Sequence, residues 1–295
     1  MTKKTWLLFA VFCVLSSVDW LLPMAEPDAP SALLQQCFLF ALIGLATLGF
    51  FALSGRLREF ASWRNMIPLT ACAIALLGLP LVLLSLASDH LPDVTIAAIF
   101  ALVPAMVVLA LAQGDDGAYE LVMPAILGFA GLLFVLPVDL PGSTEGRLWL
   151  TAPLAAALLV AVESARIHRL LRQTSLLRAT VPICLTNAVV LLIACVATGQ
   201  YHLQRAALTV QFLLANAIHA GVLILLLMLL REIPPARLAA RYLVIPLITV
   251  AEGFVLVRPE ATWQMGFGFV LVVAGTGWLL RKAGTAEGSS LSLRG

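Results

Sequence analysis

Residues 220–230 read AGVLILLLMLL. No polar residue interrupts the run. It shows none of the apolar-polar alternation that a membrane-barrel strand carries. Backbone groups in hydrocarbon are satisfied only within a helix or a closed barrel. The run therefore reads as helix. It belongs to a longer apolar stretch, 206–230, which at about 1.5 Å per residue suffices to cross about 30 Å of hydrocarbon.

Working outward, nine similar stretches appear at 5–23, 33–53, 67–87, 92–112, 120–137, 148–167, 179–198, 238–257 and 263–281. The connections between them are too short for a soluble domain. The expected fold class is an all-α polytopic membrane protein with ten transmembrane helices. Composition agrees with this. Of 295 residues, 61% are apolar and 12% charged, and mean hydropathy is +1.02. Ordinary soluble domains carry about 25% charged residues. So few charges do not cover a soluble globule. A soluble enzyme, a nucleic-acid-binding module, a disordered chain and a secreted disulfide scaffold are thereby excluded. The net charge of +2 points to no polyanionic partner; the lipid bilayer is the expected surrounding.

Charge placement sets the orientation. With ten spans, fifteen of the eighteen Lys and Arg residues fall on the side of the N-terminus. Only Arg147, Arg205 and Arg258 fall on the other. The positive-inside rule then puts both termini in the cytoplasm, as an even number of spans requires. Lys3-Lys4 and the following apolar run also have the form of a signal peptide. The run is long, holds Asp19 and Trp20, and has no A-x-A site after it, so it reads as an uncleaved first helix. The five cysteines lie within spans, are odd in number and show no C-x-x-C spacing. They read as small packing residues. Residues 283–295, rich in Gly and Ser, are expected to form a disordered cytoplasmic tail.

The chain also repeats itself. Leu91-Pro92 with Pro104 faces Ile233-Pro234 with Pro246, both prolines at an offset of 142. Gly131-Leu132-Leu133 faces Gly277-Trp278-Leu279 at 146, and Trp6 faces Trp149 at 143. Two five-helix halves follow, 1–137 and 148–282. Five is odd, so the second half is inverted relative to the first. Inverted repeats place a shared site near the midplane and permit rocking between two open states. Pro104 and Pro246 each free a backbone carbonyl and permit a bend, which makes them candidates for a mechanical role.

Several segments resemble the EamA-type branch of the drug/metabolite transporter superfamily. They are Ala87-Ser88, the run to Pro104, Gly128-Phe129-Ala130-Gly131, and Glu252-Gly253 through Arg258-Pro259-Glu260 to Gly275. The resemblance covers nearly the whole chain. It implies a ten-helix secondary transporter with two inverted halves, working by alternating access on small metabolites. The chain departs from the family's pattern at Gly114-Asp115-Asp116, where Gly-Glu is usual. It departs again at Ser16-Ser17-Val18-Asp19-Trp20 in the first helix.

Ionisable residues inside spans are costly and mark candidate sites. Glu252 lies about 7 Å outside the middle of its span by helical rise. It lacks a cation at i±3 or i±4, where Ile248, Thr249, Val255 and Leu256 stand. Asn216 and His219 are three residues apart on one face of the eighth span. Asp19 sits in the outer third of the first span, where an interfacial position is the alternative. Glu163 sits in the inner third of the sixth, with Arg166 at i+3 as a helix-surface partner. Alanines 157, 161 and 165, and alanines 97, 101 and 105, form small-residue faces for close packing. Trp6, Trp20, Trp149 and Trp263 read as interfacial anchors. No H-E-x-x-H and no P-loop spacing occurs, and Gly266-Phe267-Gly268 follows no strand. No metal, cofactor or enzymatic chemistry is implied.

These features lead to a secondary transporter, as an exporter of a small organic solute in a bacterial inner membrane. Glu252 would exchange a proton or meet a substrate amine, and Asn216 and His219 would hydrogen-bond the solute. A homodimer is the candidate assembly. The rival readings are a non-transporting scaffold or accessory subunit and a flippase for lipid-linked substrates.

Overall fold

The computed structural model describes residues 3–21, 31–57, 66–112, 116–138, 141–200, 210–256 and 262–292. Among them no strand occurs, and fourteen α-helices do. They are α1 (Lys3–Leu21), α2 (Ala32–Leu53), α3 (Ile67–Ala73), α4 (Leu79–Ser88), α5 (Asp93–Phe100), α6 (Val103–Ala112), α7 (Val122–Val135), α8 (Thr144–Trp149), α9 (Thr151–Arg172), α10 (Leu176–Ala197), α11 (Val210–Glu232), α12 (Pro235–Ala239), α13 (Arg241–Leu256) and α14 (Trp263–Ser292). A π turn, Ile74–Gly78, joins α3 to α4. A 3₁₀ segment, Asp116–Leu121, leads into α7.

The chain has the fold of an all-helical multi-pass membrane protein. Seven helical rods are long and apolar enough to cross a bilayer: Ala32–Leu53, Ile67–Ser88, Asp93–Ala112, Thr144–Arg172, Leu176–Ala197, Pro235–Val255 and Trp263–Ala283. Local chemistry sets the ends. The Ser31 hydroxyl caps α2 by accepting from the Leu34 N–H at 3.3 Å. Ser143 caps α8 the same way from the Gly146 N–H at 3.0 Å. Pro80 has no N–H to give the Leu76 carbonyl, and the π turn lies where that bond is missing.

Three boundaries differ from the sequence expectation. The rod expected over 238–257 begins at Pro235, because Pro234-Pro235 suits a helix start and Ala240 keeps right-handed geometry into α13. Its discontinuity lies at Ala240, and Pro246 is inside the unbroken α13. Pro104 does adjoin a break, at Ala101–Leu102, where it takes the second position of α6 and needs no donor. The tail is also not irregular from 283: α14 continues to Ser292, with no proline to stop a helix already nucleated.

Packing ties the two halves into one body. The main core draws on α1, α2 and α3 and equally on α9, α10 and α11. Helix α7 lies along α14, and α2 along α10. Helix α9 packs on α4 and α6, while α1 packs on α11 and α13. Ala157 and Ala161 are buried on α9, and Ala101 is buried at the α5–α6 break, which fits their reading as packing faces. All five cysteines are free. Trp6 and Trp263 are exposed as anchors should be, whereas Trp149 stacks on the His90 ring at 4.2 Å.

Lipid is as apolar as leucine, so close van der Waals fit, not water exclusion, decides which helices adhere. The α7–α14 crossing is built for this. A Cβ on Gly131 would stand 2.6 Å from the Val272 nitrogen, and one on Gly275 would collide with the Gly128 backbone. Gly277, on the same helix, faces open space. Gly131→Leu is therefore expected to cost about 1–3 kcal/mol through overpacking. Gly277→Ala is expected to stay within about 0.5 kcal/mol of the parent. Thermal unfolding in detergent checks both.

Candidate functional site

Helix α1 carries the centre of the site. Its apolar register buries Phe9, Phe12 and Cys13, and then Ser16 and Ser17 on the same side. Ser17 is fully buried where α1 meets α13, and its hydroxyl donates to Glu252 Oε1 at 2.9 Å. The Val14 carbonyl lies 2.8 Å from the same hydroxyl. One hydroxyl proton thus faces two acceptors. Glu252 Oε2 is buried and has no hydrogen-bond partner. A Cβ added to the neighbouring Gly253 would meet nothing within 4 Å, and the same holds for Gly221 on α11. Residues 244–250 of α13 and 218–222 of α11 are all half-buried, without alternation between core and surface.

Asn216 and His219 are also half-buried on α11, one turn apart. Gln35 Nε2, on α2, donates to His219 Nδ1 at 3.3 Å. The His219 and Glu252 helices both pack on α1, so three of the candidates stand around one helix. Asp19 occupies the last turn of α1, but its side chain lies outside the described residues.

Glu163 belongs to a different neighbourhood. It is buried on α9 beside Cys72 of α3, with Oε1 accepting from Arg166 Nη1 at 2.9 Å. The i+3 partner expected from the sequence is the one it has, and its Oε2 is buried without a hydrogen-bond partner. No group of three or more His, Cys, Asp or Glu side chains is placed to hold a metal among the described residues.

Sequence reasoning passed over Ser17, Gln35 and, above all, Arg241. By sequence, Arg241 and Arg237 count with the cytoplasmic rim charges, although Arg241 falls within a span that starts at 238. In the fold both are buried, at 7% and 8% exposure. Arg241 Nη2 donates to the Tyr242 hydroxyl at 2.7 Å, and its guanidinium lies over the Tyr242 and Phe12 rings at 4.6 and 5.8 Å. The available signal was Pro234-Pro235: a helix starting there carries both arginines inside it. His168 was also unforeseen; its Nδ1 lies 2.7 Å from the Leu230 carbonyl and ties α9 to α11.

No family model and no curated protein matches the chain. A solved structure described only as "Crystal structure of protein" is similar over 97% of this chain and 100% of its own, with a TM-score of 0.75 at 16% identity. At that identity the likeness speaks for the fold alone.

The Ser17–Glu252 contact is open to a double-mutant cycle. Hydrogen bonds between membrane helices couple by about 0.6 kcal/mol on average, with about 1.7 as the largest seen. Ser17→Ala and Glu252→Gln, singly and together, should give a coupling in that range in denaturant unfolding. Additive effects would mean that the two side chains do not meet.

Proposed function

We propose that this chain is a ten-helix secondary transporter of EamA type, exporting a small organic solute by alternating access. The observation that carries the reading is the intramembrane Glu252. It is held by Ser17 through one oxygen and has its other oxygen buried and unpartnered. Burial of an unsatisfied acceptor is costly, and Glu252, unlike Glu163 with Arg166, has no cation one turn away on its own helix to offset it.

Ten crossings arise if α1, α7 with its 3₁₀ lead, and α11 join the seven long rods. The pattern of helix contacts supports inverted halves. Counting crossings, the second pairs with the seventh (α2 on α10), and the fifth pairs with the tenth (α7 on α14). The sixth packs on the third and fourth (α9 on α4 and α6), as the first does on the eighth and ninth (α1 on α11 and α13). Adding or subtracting five maps each contact onto itself or onto its counterpart. Phe100 and Tyr242, 142 apart in sequence, meet with ring centroids 5.6 Å apart. The positive-inside count supports an orientation with both termini cytoplasmic, and the EamA-type reading supports placement in a bacterial inner membrane.

Proton coupling follows from the hydroxyl that serves two acceptors. With Glu252 protonated, the carboxyl can donate to Ser17 while Ser17 donates to Val14, so the hydroxyl and the carbonyl are both satisfied. With Glu252 ionised, Ser17 turns to the carboxylate and gives up the carbonyl. A proton or a substrate amine reaching Glu252 from one side of the membrane therefore changes how α1 is tied to α13. Asn216 and His219, on the facing helix, supply hydrogen bonds to the solute.

The test is flux in proteoliposomes with a trapped pH dye, against amino acids, amines, nucleosides and organic acids. Solute-dependent proton movement is expected. Glu252→Gln is expected to abolish its pH dependence and lower flux at least tenfold. Unchanged flux and unchanged pH dependence in that variant would overturn the role given to Glu252.

A further inference from the structure

Arg241 carries a charge that the described residues leave unmatched. The Tyr242 hydroxyl and the Tyr242 and Phe12 rings solvate a cation but hold no negative charge. Arg241 Nη1 is buried with no hydrogen-bond partner, and so is Arg237 Nε one turn earlier. No ion pair to a carboxylate satisfies either arginine among the described residues. An arginine near a span end ordinarily reaches out to water. Arg166 does so, with its side chain 59% exposed. Arg241 folds inward instead, against Phe12 in the middle of α1.

Two buried guanidinium groups one turn apart in an apolar bundle are costly unless an anion completes them. The arginine fork is shaped for such a partner: planar, permanently charged, and matched to the two oxygens of a carboxylate or phosphate. Arg241 already spends one nitrogen on Tyr242, which aims the fork and leaves Nη1 for a ligand. The Ser16 hydroxyl, buried and without a partner, lies one turn beyond Cys13 on the α1 face next to Arg241 and supplies a further donor. From Cys13 to Ser17, where Glu252 is held, is about 6 Å along the helix. The cationic and acidic groups thus belong to one seam between α1 and α13.

We propose that Arg241, backed by Arg237 and steered by Tyr242, docks an oxyanion of the transported solute, so that the solute is an organic acid, a zwitterion or a phosphate ester. The proposal rests on the transporter reading for the identity of its ligand, but its test reads binding and needs no flux.

The full chain in neutral detergent is heated in sodium chloride, in sodium acetate and in sodium phosphate at matched ionic strength and pH. A parallel arm adds phosphatidylglycerol in place of phosphate. Acetate or phosphate is expected to raise Tm by several degrees over chloride, half-saturating in the millimolar range. Arg241→Gln should weaken that response at least tenfold, Tyr242→Phe a few-fold, and the exposed Arg147→Gln should leave it unchanged. If Arg241→Gln does not fold, Tyr242→Phe and Arg237→Gln carry the test, each with a response weakened at least twofold. No anion-specific shift, or an equal shift in the variants, overturns the proposal. A shift with the lipid alone overturns it too, since the arginine would then hold a headgroup. An anion response present where no solute moves would instead count against the transporter reading and leave this site standing.

Discussion

In hydrocarbon no water is at hand for a polar group that the protein leaves unsatisfied. The rest of the fold depends on this constraint. It forces the backbone into helices, which gives the all-helical bundle. It makes each ionisable side chain inside the bundle either pair or wait for a ligand. Glu163 solves the problem at one oxygen with Arg166, its neighbour on the same helix. His168 solves it with the Leu230 carbonyl. Glu252 and Arg241 solve it only in part, each with one polar atom buried and unpartnered. A membrane protein that keeps two such groups along one helix contact maintains an energetic cost that a solute or a proton can relieve.

The bundle that holds them is rigid where it must be and loose where it can be. Helices α7 and α14 meet with their backbones nearly in contact at Gly131 and Gly275, and Lys282 bonds Glu120 at 2.7 Å at their end. The α11 and α13 segments at 218–222 and 244–250 are instead half-buried throughout, and Gly221 and Gly253 make no such close approach. The break at Ala101–Leu102 and the change at Ala240 interrupt two of the rods, each within six residues of an interior proline.

The helical class was legible in the sequence because twenty apolar residues in a row allow little else. The i+3 partner of Glu163 was legible because helix geometry fixes it locally. Glu252 stood out because no local cation could answer it. Contacts between distant segments were not legible. Ser17 and Gln35 are ordinary polar residues until α13 and α11 come to rest beside them. Arg237 was hidden by a boundary, three residues at the start of a span; Arg241 lies inside the span either way and was hidden because only the fold shows its side chain turning inward over Phe12. Pro246 shows a related limit. Its missing N–H is visible in the sequence, yet the interruption of the rod lies at Ala240 and α13 runs on through Pro246.

The most direct test of the account is access to the seam itself. Gly253→Cys, placed in a chain freed of its five native cysteines, is treated with a membrane-impermeant maleimide in vesicles of each orientation. Labelling from both sides, with solute shifting the balance between them, is the result expected of alternating access around the α1–α13 contact. Labelling from one side only, unchanged by any solute in the panel, would contradict it.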